Sequence, residues 1–395
     1  MDSLISSIDD GFVTELIRVR HHLHKHPELS GAEQNTAVFV VEYLRTKCAA
    51  DEIYTDIGGH GIVAVFDSMK PGRNILFRAE LDALPIKELN TFGHISCCEG
   101  VSHKCGHDGH ASTLLGLGIF VSRQRPATGK VLLLFQPAEE TGLGAEAMLL
   151  DEKFKTIPAP DLVFAFHNVP GYPLGSVLLR QGAFTASVKS IIIRLHGRTS
   201  HAAEPENGVN PALCIAGILT GFDKLSNNDT SRADFRVITP VHVTMGEVAY
   251  GVSAGYGEVH LTVRTWTEAE MSILEGEMAD LINTCTEAVG LSYDIGYTDV
   301  FRANESSDAA VACVNAAASH PSSKLSVINL PTPMKWGEDF GLFSQQFSGC
   351  FFGIGSGEGR PALHNPDYDY PDDILAVGLK VFVGILDNLG TFVLT

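Results

Sequence analysis

The densest concentration of reactive side chains is His103-Lys104-Cys105-Gly106-His107-Asp108-Gly109-His110, directly ahead of an apolar helical run. Thiolate, imidazole and carboxylate are the groups that ligate zinc-like cations. A lone histidine is usually structural. Three histidines and a cysteine within eight positions instead suggest a metal site. Gly106 and Gly109 would let backbone approach an ion closely. A second signal is Pro137-Ala138-Glu139-Glu140, at the end of the apolar run Val131 to Phe135. Adjacent acids are ordinarily a solvated pair on a helix face. These sit where ligands collect in open α/β sheets, at the carboxyl end of a strand. Neighbouring side chains leaving such a turn diverge, so one can hold a metal while the other serves as general base toward water. His167 ends the run Leu162 to Phe166, and His364 lies in Ala362-Leu363-His364-Asn365-Pro366. Each alone reads as structural; four strand-end sites offering Cys, His and Glu make a shared metal centre the simpler account.

The elements that must position these residues are visible in the periodicity. Helical spacing runs from about Ile8 to Leu23 and from Glu33 to Lys47, joined by His26-Pro27-Glu28-Leu29-Ser30-Gly31. Short apolar runs follow at Ile62 to Phe66, Ile75 to Phe77, Val131 to Phe135 and Leu162 to Phe166, with a helical segment near Ala111 to Val121. This alternation predicts an α/β domain on a central, largely parallel mixed sheet. Past Gly182 the order becomes strand (Ser187 to His196), helix (Pro211 to Leu225), strands (Val241 to Val248, Val259 to Trp266), helix (Glu268 to Ala288) and strand (Leu291 to Tyr297). That β-α-β-β-α-β order is the ferredoxin-like plan. A strand at Phe351 to Ile354 and a helix at Asp372 to Leu389 resume the first pattern. The expected organisation is therefore residues 1–182 and 299–395 as one catalytic domain, interrupted by an inserted α+β unit at 183–298.

Composition narrows the partners. With 395 residues, two cores are expected, and 45% apolar against 19% charged residues is the balance of a folded, soluble chain. A net charge of −19 repels phosphate backbones and anionic lipid, so nucleic acid and membrane surfaces are excluded in favour of small molecules and cations. An acidic start and the lack of a roughly 20-residue apolar span predict a cytoplasmic location. Eight scattered cysteines argue against a disulfide framework.

Taken together these stretches resemble the M20 metallopeptidase clan, within it the amidohydrolase branch of hippurate hydrolases, aminoacylase-like enzymes and hydrolases of auxin-amino acid conjugates. The resemblance runs through His26-Pro27-Glu28-Leu29-Ser30, Arg78-Ala79-Glu80-Leu81-Asp82-Ala83-Leu84-Pro85, Cys105 to His110, Gln136 to Glu140, Ser200-His201-Ala202-Ala203, Gly337-Glu338-Asp339-Phe340 and Leu363-His364-Asn365-Pro366. It implies a di-metal α/β domain with a ferredoxin-like lid. It implies further that Cys105, His107, Glu140, His167 and His364 are the ligands of two divalent cations and Glu139 the base. Asp82 matches an acid that orients a ligand histidine, His201 a lid histidine that closes over the substrate carbonyl, and Asn210 and Arg264 lid positions that can meet a substrate carboxylate. The implied reaction is hydrolysis of N-acyl amino acids or related amides. A thiolate ligand suits zinc, while manganese, cobalt or nickel could take the same geometry. An exposed lid strand makes a homodimer plausible.

This chain departs from the usual pattern at Glu80, Ser102, Lys104 and Thr141-Gly142-Leu143-Gly144, and most at Glu204 and Glu206. Those two acids read either as a solvated loop or as an altered pocket for a cationic substrate group. Rival readings are a metallo-dipeptidase or aminopeptidase, disfavoured by cysteine where those branches have an acidic bridging ligand, and a silent binding protein on the same scaffold. Nucleotide binding at Gly353-Ile354-Gly355-Ser356-Gly357 is set aside because no helix opens after the glycines.

Overall fold

The computed structural model describes residues 1–392, so the last three residues of the expected 299–395 segment lie outside it. In chain order the longer strands are β1 (Glu52–Ile57), β2 (Gly61–Asp67), β3 (Asn74–Glu80), β4 (Lys130–Gln136), β5 (Leu162–Val169), β6 (Val177–Leu179), β7 (Ser187–His196), β8 (Arg236–Met245), β9 (Tyr256–Thr265), β10 (Ser292–Phe301), β11 (Val327–Asn329) and β12 (Gly349–Gly355). Eight of them form one sheet in the order β1-β2-β4-β3-β5-β12-β6-β11. The four central strands β4, β3, β5 and β12 pair in parallel, whereas β1, β2 and the β12–β6 pair are antiparallel. All eight residues of β5 and all seven of β12 are buried. Strands covered on both faces read as unbroken apolar runs, which is why these were visible in the sequence.

The helix His107–Arg123 carries the metal-site loop at its start and is buried continuously from His107 to Val121. It packs against β3 and the helices Asp10–Lys25 and Leu375–Asn388. Close approach needs small residues: a Cβ on Gly116 would lie 2.9 Å from the Leu16 methyls, and one on Gly109 2.5 Å from the Tyr370 ring. The helix expected over Glu33 to Lys47 ends at Tyr43 and continues as a wider π turn, Leu44–Cys48.

The chain divides into two compact units, one of Met1–Phe184, Asn304–Pro331 and the residues from Glu338 on, the other of Thr185–Ala303 with Thr332–Gly337. The second unit starts and ends later than 183–298. Gly182–Ala183 pairs with Glu305–Ser306 inside the first unit, and β10 runs on to Phe301. Thr332–Gly337 was expected in the larger domain. Instead, Ala186 donates to the Met334 carbonyl, Arg264 Nε donates to the Lys335 carbonyl, and Gly337 packs on the Phe301 ring.

Within the second unit the order is β7, helix Ala212–Leu225, β8, β9, helix Glu268–Glu287, β10, and the sheet order is β8-β9-β7-β10, antiparallel throughout. Ile191, Ile193, Val259, Leu261, Ile218, Leu274 and Ile282 belong to its own buried core. The strand expected at Val241 to Val248 lies earlier, Arg236–Met245, with a register shift after Pro240. An edge strand tolerates the missing N–H of proline, and β8 is an edge. Among the described residues no helix is long and apolar enough to cross a membrane.

Candidate metal centre

Because β4, β3, β5 and β12 are parallel neighbours, their carboxyl ends open along one edge, and the loops leaving them converge. Asp82 follows β3, Glu139 and Glu140 follow β4, and the loop after β12 delivers His364. His167 lies inside β5, which runs on to Val169, not past its end as expected. Cys105 and His107 flank Gly106, whose φ of 106° and contact with Asn168 leave no room for a side chain: a Cβ would stand 2.5 Å from Asn168 Oδ1.

The five expected ligands come together. Sulfur of Cys105 lies 3.3 Å from His167 Nε2, His107 Nε2 lies 3.9 Å from Glu140 Oε1, and His364 Nε2 lies 3.5 Å from Glu140 Oε2. The donor atoms of Cys105, His107 and His167 are within 4.8 Å of one another, as are those of Cys105, Glu140 and His364. Two triads therefore share the cysteine. Glu139 stands beside them, its Oε2 3.7 Å from His107 Nε2.

The donors are aimed by hydrogen bonds from behind. His107 Nδ1 donates to the Asp82 carbonyl at 2.9 Å and faces its carboxylate at 3.2 Å, which turns the Nε2 lone pair toward the cluster. The other Asp82 oxygen accepts from Ser30 Oγ at 2.7 Å and from the Glu140 amide at 2.9 Å, so one carboxylate fixes two donors. His167 Nδ1 donates to the Asn168 carbonyl at 2.8 Å. The backbone amide of His364, a residue with φ 66°, donates to the Lys104 carbonyl at 2.8 Å. His110, counted in the sequence cluster, is occupied at both nitrogens: Nδ1 meets Glu80 at 2.8 Å and Nε2 meets Asn168 Oδ1 at 2.6 Å. His103 is buried, and burial lowers its imidazole to about 4, so it is neutral.

A buried ionic layer lies beneath, and sequence reasoning assigned it no role. Arg78 donates to Gln136 at 2.9 Å, Glu338 at 2.9 Å and Asp339 at 2.8 Å, and pairs with Glu80. The signal was there: Arg78 and Glu80 are charges inside an apolar strand, which only mutual pairing makes tolerable.

Electrostatics show what the cluster lacks. Burial, with the charges of Glu338 and Glu140, pushes Glu139 well above the carboxylate range, and burial takes Glu140 to about 7. Burial and both glutamates push the Cys105 thiol up. Burial alone would lower His107, but the Asp82 hydrogen bond and the charges of Glu80, Asp82 and Glu140 raise it to about 10. Burial holds His167 and His364 down, as neutral donors. His107 Nε2 and Glu140 Oε1 are buried without any hydrogen-bond partner. The donor set fits a divalent cation, which favours thiolate and carboxylate, accepts neutral imidazole and would partner both orphaned atoms.

His201, Asn210 and Arg264 belong to the second unit. His201 is exposed, and its Nδ1 accepts from the Ala203 amide at 3.0 Å, leaving Nε2 as the N–H donor. Asn210 bonds Ser253 Oγ at 3.0 Å and accepts from the Ala212 amide at the start of the following helix. Arg264 also donates to Thr262 at 3.1 Å. Glu204 and Glu206 are exposed.

Fold and donor set together define a class: an α/β protein with a thiol, imidazole and carboxylate cluster at the ends of parallel strands, interrupted by a ferredoxin-like unit. The chain belongs to Peptidase family M20/M25/M40, whose model matches residues 76–388. It is 29% identical to the N-acetyl-L-cysteine deacetylase of Bacillus subtilis, over 90% of this chain and 83% of that one. It is 28% identical to the hippurate hydrolase of Campylobacter jejuni, over 92% and 93%. A solved dinuclear metal binding peptidase of the M20 family from Bacillus subtilis shares the fold, with a TM-score of 0.82, 24% identity, and coverage of 97% of this chain and 100% of that one.

Proposed function

We propose that this protein is a metal-dependent amidohydrolase that cleaves N-acyl amino acids or related amide conjugates. Hydrolysis of an amide is the activity class that family membership and the relatives' names support. The observation that carries the reading is the convergence of Cys105, His107, Glu140, His167 and His364 beside Glu139, with two buried donor atoms lacking partners.

Cys105, His107, Glu140, His167 and His364 would hold two divalent cations, with zinc best matched to the thiolate and manganese, cobalt or nickel compatible. When bound, such ions supply Lewis acidity toward water and toward an amide carbonyl. Glu139 takes the proton of the attacking water and passes it to the departing amine. His201, through Nε2–H, donates to the carbonyl oxygen as charge develops there. Asn210 and Arg264 receive the carboxylate of the amino acid. Asp82 keeps His107 in the right tautomer. The first unit carries the chemistry, and the second, Thr185–Ala303 with Thr332–Gly337, acts as lid. Self-association through this second unit is supported by the unpaired edge of β8 and its exposed Val241, Val243 and Met245.

The deciding experiment is Glu139→Gln. It is expected to retain both metal equivalents while kcat on an N-acyl amino acid falls by about 10²- to 10⁴-fold, the usual worth of a positioned base. Near-normal turnover in that variant would sink the assignment of the base.

A further inference from the structure

The turn that presents Glu139 and Glu140 adopts a conformation its own sequence disfavours. Ala138 has φ 52°, in the left-handed region that a side chain with a Cβ rarely adopts. The residues on either side do not relieve this. Pro137 precedes it, and Gly144 is pressed so closely on the Pro137 carbonyl that a Cβ would stand 1.7 Å from it.

What holds the turn is a carboxylate from a distant segment. Glu33, fully buried, accepts at Oε1 from the Ala138 amide at 2.8 Å and from the Gly31 amide at 2.8 Å. Its other oxygen is buried with no hydrogen-bond partner. A buried carboxylate is costly unless it is hydrogen-bonded, and here the Gly31 and Ala138 amides, both in backbone turns, supply the bonds. Two residues on, the Glu140 amide is held by Asp82, itself bonded by Ser30. One stretch, Ser30 to Glu33, thus anchors the glutamate turn at both ends, directly through Glu33 and through Asp82.

We infer that Glu33 is a positioning residue for the metal centre: by holding the Ala138 amide it keeps that residue left-handed, so that the turn brings both Glu139 and Glu140 to His107, the three donor atoms within 4.8 Å of one another. The inference rests on the reading of Glu140 as a ligand and Glu139 as base. It predicts a rescue that a merely structural role would not give. Glycine visits the left-handed region without penalty, so Ala138→Gly should restore part of what loss of Glu33 removes.

The test is zinc affinity, by competition with a chromophoric chelator, together with kcat and KM of the zinc-loaded protein. Glu33→Ala is expected to bind zinc at least 10-fold more weakly and to lose kcat more than KM. Glu33→Gln, whose amide oxygen can still accept both N–H groups, should retain most of the affinity. Glu33→Ala with Ala138→Gly should recover at least 3-fold of the lost affinity, whereas Ala138→Gly alone should change it little. Should Glu33→Ala fail to fold, Glu33→Asp, one methylene too short to reach both amides, carries the same comparison. Wild-type zinc affinity in the Glu33→Ala or Glu33→Asp protein, equal loss in the Gln variant, or no recovery in the double variant each overturns the inference. A wild-type protein that binds zinc but cleaves no N-acyl amino acid would refute the proposed activity and leave this test intact.

Discussion

At the scale of single residues, the donor types announced themselves and their supports did not. Cys105, His107, Glu140, His167 and His364 are chemically conspicuous, so residue types and positions suggested a shared metal centre, and the family resemblance supplied this particular set. Asp82 is different, because its role depends on three partners from separate segments: Ser30, His107 and Glu140. In Asp82→Asn, the replaced oxygen becomes an N–H donor facing either the His107 Nδ1–H or the Glu140 amide. Either arrangement sets donor against donor. Metal affinity is expected to fall by about 10- to 100-fold, the usual range for removing such a supporting carboxylate, with little change in the far-ultraviolet circular dichroism. Unchanged affinity by isothermal titration would show that His107 is oriented by the backbone carbonyl alone. Asp82 was read only through the family resemblance, and Glu33, Arg78, Asn168, Glu338 and Asp339 were assigned no role, for the same reason. Each is explained by partners far away in sequence, such as the contact of Arg78 with Glu338, and local periodicity carries no record of that pairing.

At the scale of elements, the strands of the parallel core were readable because double burial makes them apolar throughout, while the edge strands β1 and β8 were missed or misplaced because half-exposed edges carry mixed residues. A feature no pattern revealed is how the helix Asp10–Lys25 docks on the start of the helix His107–Arg123. Arg20 and His24 both reach Asp108, at 3.2 and 2.9 Å, and His24 Nε2 meets Glu88 at 3.0 Å. Burial alone would lower His24, but the Asp108 and Glu88 bonds raise it to about 9. A histidine raised on folding lends stability that is full below about pH 6.5 and disappears as pH climbs through about 9, worth at most about 3 kcal/mol for a shift of this size. Guanidinium unfolding midpoints should therefore decline between pH 6.5 and 9 in the wild type. His24→Gln, already without that contribution, should start lower and show a flatter profile. Parallel slopes in the two proteins would remove His24 from the explanation. Glu88, held down to about 2 despite burial by His24 and Lys104, works in the other direction, its contribution being lost only as pH falls from about 4.5 through 2.

At the scale of the whole molecule, the change of texture past Gly182 was legible, since a β-α-β-β-α-β run can form a sheet of its own, as β7 to β10 do. Its ends were not, because Thr332–Gly337 joins that unit through backbone bridges that no composition shift marks. The same unit leaves β8 unpaired along one side, with Val241 and Val243 exposed at 64% and 41% and Tyr250 at 96% in the following loop. The exposed half of this edge, from Val241 to Met245, carries no Lys, Arg, Asp or Glu, and an open apolar edge invites pairing. A second copy placed antiparallel on β8 would extend the four-stranded sheet and satisfy both edges at once, the self-complementary contact of a two-fold dimer. Light scattering on the eluting protein should then give twice the 42.4 kDa of the chain at micromolar concentration. Val243→Lys puts a charge on that seam without touching the buried core of the unit, and natural edge strands carry lysine against pairing in the same way. It should shift the mass to a single chain while the metal content stays unchanged. A wild-type mass of one chain, or a dimer indifferent to Val243→Lys, would mean that the edge is blunted some other way, with Pro240 and the register shift beside it the first features to suspect.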